Sequence, residues 1–224
     1  MRFSFNLQNI KAIIPEELKE EIGDIRLLPY CKPFELNHIP AIERRRLSKG
    51  TKCVLSMLQS IDKPVVYSSY KGEINRSLDL LYSLAESGIV SPTSFSLSVL
   101  NAVPAAAAIM YNSHNDITAV SSSPSLENAL LQAYINMLDT KQEQLVICYY
   151  EGAFKDYYSQ NKLYCCISME VSKGTDIVLE KCCSDKTYGI ADSISEIEFL
   201  KHYHQKENYS TYTDNTEWKW YFNA

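Results

Sequence analysis

The alternation of apolar and polar residues divides the chain into elements. Residues 1–14, MRFSFNLQNIKAII, alternate with the period of two that marks a strand. A loop punctuated by Pro29, Pro33 and Pro40 follows, and from Ala41 to Ile61 the period becomes helical, with Leu47, Val54, Leu55, Leu58 and Ile61 on the core stripe. Pro64 introduces a short buried strand, Val65 to Ser69. A second helix is predicted from Ile74 to Glu86, with Leu78, Leu81, Tyr82 and Ala85 facing inward and Gly88 ending it. A third runs from about Phe95 to Tyr111. Strands at Ile117–Ser121 and Leu145–Tyr150 flank a helix from Pro124 to Leu138, an alternation that implies crossovers and a largely parallel sheet with helices on its faces.

Beyond Tyr150 the pattern changes to consecutive strands. The runs 163–171 and 177–183 flank a Lys173-Gly174-Thr175 turn and predict an antiparallel hairpin, with Cys165 opposite Cys183 and Cys166 opposite Cys182. Each face of that hairpin receives two thiols, not the four of a structural zinc site, so no metal is expected. A helix around Ile194 to His204 and a strand, Glu217 to Phe222, close the chain. Trp218 and Trp220 share one strand face, which suits the covering of a core edge.

Composition narrows the function classes. At 224 residues, with no linker, repeat or low-complexity block, the chain is expected to be one domain, 1–224. A net charge of −5 speaks against nucleic acid as partner. The N-terminus lacks the features of a secretory signal, and the longest apolar stretch, Ala102 to Tyr111, is far short of a membrane span. Seven cysteines without disulfide spacing fit the same expectation of a soluble cytoplasmic protein.

Three runs then stand out in order: PAIERRRLS at 40–48, VVYSSYKGE at 65–73 and SPTSFSLSVLNA at 91–102. They resemble the Pro-x-x-x-RRRLS helix start, the strand followed by S-x-x-G-E, and the SPT-x-F-S-x-SVHNA run of β-ketoacyl synthase-like N-terminal domains. More closely, they resemble the short chain-length-factor-like proteins of aryl polyene biosynthesis clusters. The resemblance implies a thiolase-like α/β layered fold, the N-terminal half of a ketosynthase. Its mostly parallel central sheet would carry flanking helices and the antiparallel hairpin as an extension.

The same resemblance places the chemistry. Active ketosynthases carry an acyl-accepting cysteine at the turn after the strand equivalent to Ile117–Val120, where this chain has Ser121, Ser122, Ser123 and Pro124. Ser123 falls at the nucleophile position, to within one residue. Leu100 replaces the histidine of the SVHNA run. The two histidines that stabilise the condensation come from a C-terminal half that the chain is expected not to contain. A serine needs an adjacent base, and His114, one of four histidines, is the one that proximity brings near the turn. The alternative is structural: Ser123 as N-cap and Pro124 at the first helical position.

Other residues carry paired readings. Arg44, Arg45 and Arg46 offer a basic face to an acidic acyl carrier protein, or a solvated helix start beside Glu43. Ala102, Ala105, Ala106 and Ala108 form a smooth helix face, which the resemblance puts near the dimer interface and acyl tunnel; burial within one subunit is equally open. Among sixteen tyrosines, Tyr149, Tyr150, Tyr157, Tyr158 and Tyr164 offer interface-like surface or reflect composition alone. The expectation is therefore a cofactor-free, non-catalytic auxiliary that pairs with a catalytic ketosynthase or an acyl carrier protein, or forms a homodimer. A stand-alone serine acyltransferase or hydrolase is the alternative.

Overall fold

A computed structural model describes residues 1–20, 23–152, 163–188 and 194–223; Tyr157 and Tyr158 lie outside them. The N-terminal strand is β1 (Arg2–Ile13), with Phe3, Phe5 and Leu7 alternating inward. The helix expected over Ala41–Ile61 is two: α1 (Ala41–Arg44) and α2 (Lys49–Met57). Ser48 breaks it, because its extended backbone lets its hydroxyl accept from Thr51 N at 3.2 Å, an N-cap that a continuous helix would forfeit. After β2 (Val65–Ser68) comes α3 (Ile74–Ser87), closed by Gly88 at φ 69°, the left-handed conformation glycine adopts without strain. The third predicted helix is also divided, into α4 (Pro92–Ser96) and α5 (Ala102–Met110). Then follow β3 (Ile117–Val120), α6 (Ser125–Thr140) and β4 (Gln144–Glu151). The last elements are β5 (Tyr164–Lys173), β6 (Ile177–Tyr188), α7 (Ser195–Tyr203) and β7 (Tyr209–Phe222).

The strands form one seven-stranded sheet in the order β3-β2-β4-β5-β1-β6-β7. Among the described residues, β2 pairs in parallel with β3 and β4, and the remaining pairings are antiparallel. The parallel part is thus three strands, and the antiparallel extension is larger than a hairpin. The hairpin itself is corrected: β1 lies between β5 and β6, so Cys165 and Cys166 face Tyr150 and Tyr149 of β4, while Cys182 and Cys183 face Glu217 and Thr216 of β7. The connection at Gly174 passes over β1. There the Asn6 side chain occupies the space a Cβ on Gly174 would need, and Asn6 Oδ1 accepts from Asp176 N at 3.1 Å.

Two apolar layers cover the sheet. On one face α6 and α7 pack on Val66, Val146, Ile167 and Leu179, with Trp218 and Trp220 fully within that core. On the other, α2 and α5 pack on Val65, Tyr67, Ile147 and Tyr149. Tyr149 and Tyr164 belong to this core, which removes them from the surface tyrosines the sequence offered. The prediction for α3 is corrected too: Leu78 is half-buried, but Leu81, Tyr82 and Ala85 are exposed, Leu81 by 61%. α3 packs against α4 and leaves its apolar stripe uncovered.

Candidate functional site

The chain leaves β2 through α3, α4 and α5 toward one face of the sheet and leaves β3 through α6 toward the other. At such a divergence the carboxyl ends of neighbouring parallel strands open a crevice, the usual ligand position in an α/β sheet. Here its walls are Ser69 and Tyr70 after β2, and Ser121 to Pro124 after β3. Ser69 N donates to Val120 O at 3.1 Å, and Ser121 Oγ to Tyr70 O at 3.3 Å, so the two turns are laced together.

Within this turn the serines differ. Ser122 Oγ is buried without a hydrogen-bond partner among the described residues, whereas Ser123 is half-buried and joined to Pro124 by a cis peptide. The predicted cap is displaced by one residue. Pro124 is extended, with ψ 141°, and itself occupies the N-cap position, so the helix starts at Ser125 and Ser123 does not cap it. The start is secured from across the core. Ser125 Oγ donates to Glu196 Oε1, and Ser195 Oγ accepts from Leu126 N at 3.3 Å. Both partners stand at the start of α7, some seventy positions away, which local spacing does not reveal.

His114 does not meet Ser123. It is exposed in the loop before β3 while the serines follow β3, and four residues of strand separate the two ends by about 13 Å. His38, His202 and His204 are engaged with Tyr111, Glu207 and Tyr30. Arg44, the last residue of α1, is half-buried, and Arg45 and Arg46 just after it are exposed; none of the three is ion-paired among the described residues. Ala102 and Ala108 are buried while Ala105 and Ala106 are half-buried, and α5 lies close against α2. A Cβ built on Gly50 of α2 would meet Val103 Cγ2 at 2.8 Å, so the small residues serve close packing within the chain.

A second polar feature lies on the β4 side of β2. A cleft of about 400 Å³ opens between the start of α2, α3, α4 and the end of β4, with Ser48, Lys49, Glu73, Arg76, Ser91 and Glu151 in its walls. Glu73 and Glu151 are each 6% exposed. Lys49 Nζ stands 3.6 Å from Glu151 Oε1, and Arg76 Nε 3.6 Å from Glu73 Oε2. Burial pushes the Glu73 carboxyl up, against the lowering effect of Ser48 and Arg76. These residues were not among the predicted site residues, although the Ser-x-x-Gly-Glu run ends on Glu73.

The third feature is an open border. β3 is an edge strand whose four residues are all half-buried. Separately, Leu81 and Leu84 of α3, Ile89, Phe95 of α4 and Val99 are exposed apolar side chains. Unpaired edges and exposed apolar surface of this kind mark interaction sites. No helix among the described residues is long and apolar enough to cross a membrane.

The sequence matches the family described as Beta-ketoacyl synthase, N-terminal domain, over residues 25–221. No protein of curated function matches it. Among solved structures, one similar chain belongs to the ketosynthase ApeO in complex with its chain length factor ApeC from Xenorhabdus doucetiae. It has a TM-score of 0.77 at 22% identity, over 98% of this chain and 99% of that one. The ishigamide ketosynthase/chain length factor has a TM-score of 0.61 at 14% identity, over 81% of this chain and 67% of that one. A β-ketoacyl synthase from Burkholderia phymatum STM815 has a TM-score of 0.51 at 12% identity; 81% of this chain covers 59% of it.

Proposed function

Since the chain belongs to the β-ketoacyl synthase N-terminal domain family and has a thiolase-like ketosynthase fold, we propose that it acts as a chain-length-factor-type auxiliary, pairing with a catalytic ketosynthase in aryl polyene or polyketide assembly. The observation that carries this reading is surface left uncovered within the chain: among the described residues no strand lies beyond β3, and α3 and α4 expose Leu81, Leu84 and Phe95. Similar solved chains come from ketosynthase/chain length factor structures, which supports a ketosynthase as the occupant.

The crevice chemistry supports an auxiliary rather than a condensing role. The turn after β3 presents hydroxyls where the resemblance implies a cysteine. A hydroxyl is almost wholly protonated near neutral pH and needs a base within hydrogen-bond reach. His114, the base that the serine hydrolase alternative requires, stands at the other end of β3. The exposed Arg45 and Arg46, with Arg44 beside them, are the proposed landing point for an acidic acyl carrier protein. Ala105 and Ala106 are the part of the alanine face left for a partner or an acyl tunnel.

Co-expression with a catalytic ketosynthase tests the reading. A stable complex that condenses malonyl-carrier substrates is expected, with no condensation by this chain alone; unaided elongation would sink the proposal. Leu81→Glu with Leu84→Glu should weaken the complex by about a hundredfold or more, since charge placed in an apolar interface core costs several kcal/mol. The same variant should leave the melting temperature of the free chain nearly unchanged, because both side chains are exposed there.

A further inference from the structure

Toward the opposite end of the sheet from β3, the end of α7, the start of β6 and the end of β7 enclose a second cavity, of about 410 Å³. Its buried lining is apolar, with Leu7 and Ile177 only 8% and 3% exposed. Ile177 is held in register between Phe5 and Phe222, so this part of the cavity rests on the sheet itself. Two half-buried rings, Tyr203 and Phe222, also line it and stand edge to face, with centroids 6.2 Å apart at 64°.

The rim carries one charge of each sign. Asp176 and Lys206 are exposed, and neither enters an ion pair among the described residues, with each other or with a third group. The other polar side chains of the rim are engaged, His204 with the Tyr30 hydroxyl and Asn223 Nδ2 as donor to Thr175 O. Both charges sit on fixed backbone. Asp176 N donates to Asn6 Oδ1 at 3.1 Å, and Asp176 O accepts from Asn223 N at 2.8 Å. Lys206 N donates to Tyr203 O at 3.2 Å, and Lys206 holds φ 49°, the left-handed conformation that helix ends usually give to glycine or asparagine. Lysine there carries a backbone strain that glycine would not, which points to a use for its side chain.

These features select the ligand. A ring face and a ring edge offered together suit an incoming aromatic ring, which prefers offset-stacked or edge-to-face neighbours. A ring bearing only a carboxylate would meet Lys206 but face Asp176, and a ring bearing only an ammonium would meet Asp176 but face Lys206. A molecule with one of each answers both. We infer that this cavity binds a free aromatic α-amino acid as its zwitterion, the ring among Leu7, Ile177, Tyr203 and Phe222, the ammonium at Asp176 and the carboxylate at Lys206. Ketosynthase pairing is assigned to other surface, so either reading can fail without the other.

Titration of the full chain with phenylalanine, followed by backbone amide shifts, should saturate, with the shifts at Leu7, Ile177, Lys206 and Phe222. Hydrocinnamate and phenethylamine each lack one of the two charges and should bind about tenfold more weakly. Norleucine, a zwitterion without a ring, should bind about fivefold more weakly. Lys206→Met should weaken phenylalanine and hydrocinnamate about tenfold and phenethylamine not at all, and Asp176→Asn should weaken phenylalanine and phenethylamine but not hydrocinnamate. Both side chains are exposed, so both variants should melt with the parent chain; if either unfolds, the comparison of the four ligands on the unaltered chain decides. No saturation, shifts away from the cavity, or binding of a singly charged compound or of norleucine as tight as that of phenylalanine overturns the inference.

Discussion

Glu127 and Glu196 are fully buried carboxyls near the starts of α6 and α7, held by hydroxyls and an indole. Thr211 Oγ1 donates to Glu127 Oε1 at 2.6 Å and Trp220 Nε1 at 3.2 Å, while Ser125 and Ser195 donate to Glu196. Burial pushes both carboxyls above their ordinary value of 4.5, and the donors oppose it. The protonated forms are therefore favoured by folding. Their stabilisation is complete below pH 4.5 and is lost as pH rises through the raised folded values. The melting temperature should accordingly decline from about pH 5 toward neutrality. Glu127→Gln with Glu196→Gln should flatten that decline, measured by thermal denaturation across the range. An equally steep decline in the double variant would show that other groups set it. Ser125 gains its role from the same pair: it ties the serine turn to α7, so the turn's geometry depends on a residue 71 positions away.

Between elements, α2 approaches α5 closely over β4. A Cβ on Gly50 would stand 2.8 Å from Val103 Cγ2 and 3.1 Å from Tyr149 Cε1, and Tyr149 is itself fully buried. Gly50→Ala gains about 1 kcal/mol of helix propensity but forces a packed layer apart. A net loss of about 1 kcal/mol in urea denaturation is expected. Periodicity showed that α2 and α3 each have an apolar face, but not what covers it. For α2 the cover is the sheet; for α3 no described residue buries Leu81 or Leu84. The same limit explains the strand order. Residues 163–183 read locally as a hairpin, yet β1, from the far end of the chain, pairs with both of its arms. The Ser-x-x-Gly-Glu run and the serine turn were legible as motifs, whereas the cleft arises only when Glu151 of β4 is brought beside Glu73.

At the scale of the molecule, the sheet ends on opposite terms at its two borders. β7 is fourteen residues long, with Trp218 and Trp220 sealed into the core, while β3 is four residues with no strand beyond it among the described residues. If a partner extends the sheet there, main-chain groups of β3 must be available to it. Val65 N donates to Asp116 O and Ser69 N to Val120 O, at 2.8 and 3.1 Å. In a parallel ladder, alternate residues face the same neighbour. Asp116, Thr118 and Val120 therefore face β2, and the N–H groups of Ile117 and Ala119 point outward. Ala119→Pro removes one outward donor and spares the β2 ladder, as proline is tolerated on edge strands. The free chain should lose little stability, about 1 kcal/mol or less, on thermal denaturation. Its complex with a ketosynthase should weaken about tenfold in a binding titration, from the lost hydrogen bond and the stiffened edge together. Thr118→Pro breaks an inward donor instead and should lower the melting temperature of the free chain, so the pair separates an edge used for assembly from one used for folding. Equal binding by wild type and Ala119→Pro would leave the apolar face of α3 and α4 as the whole of the contact.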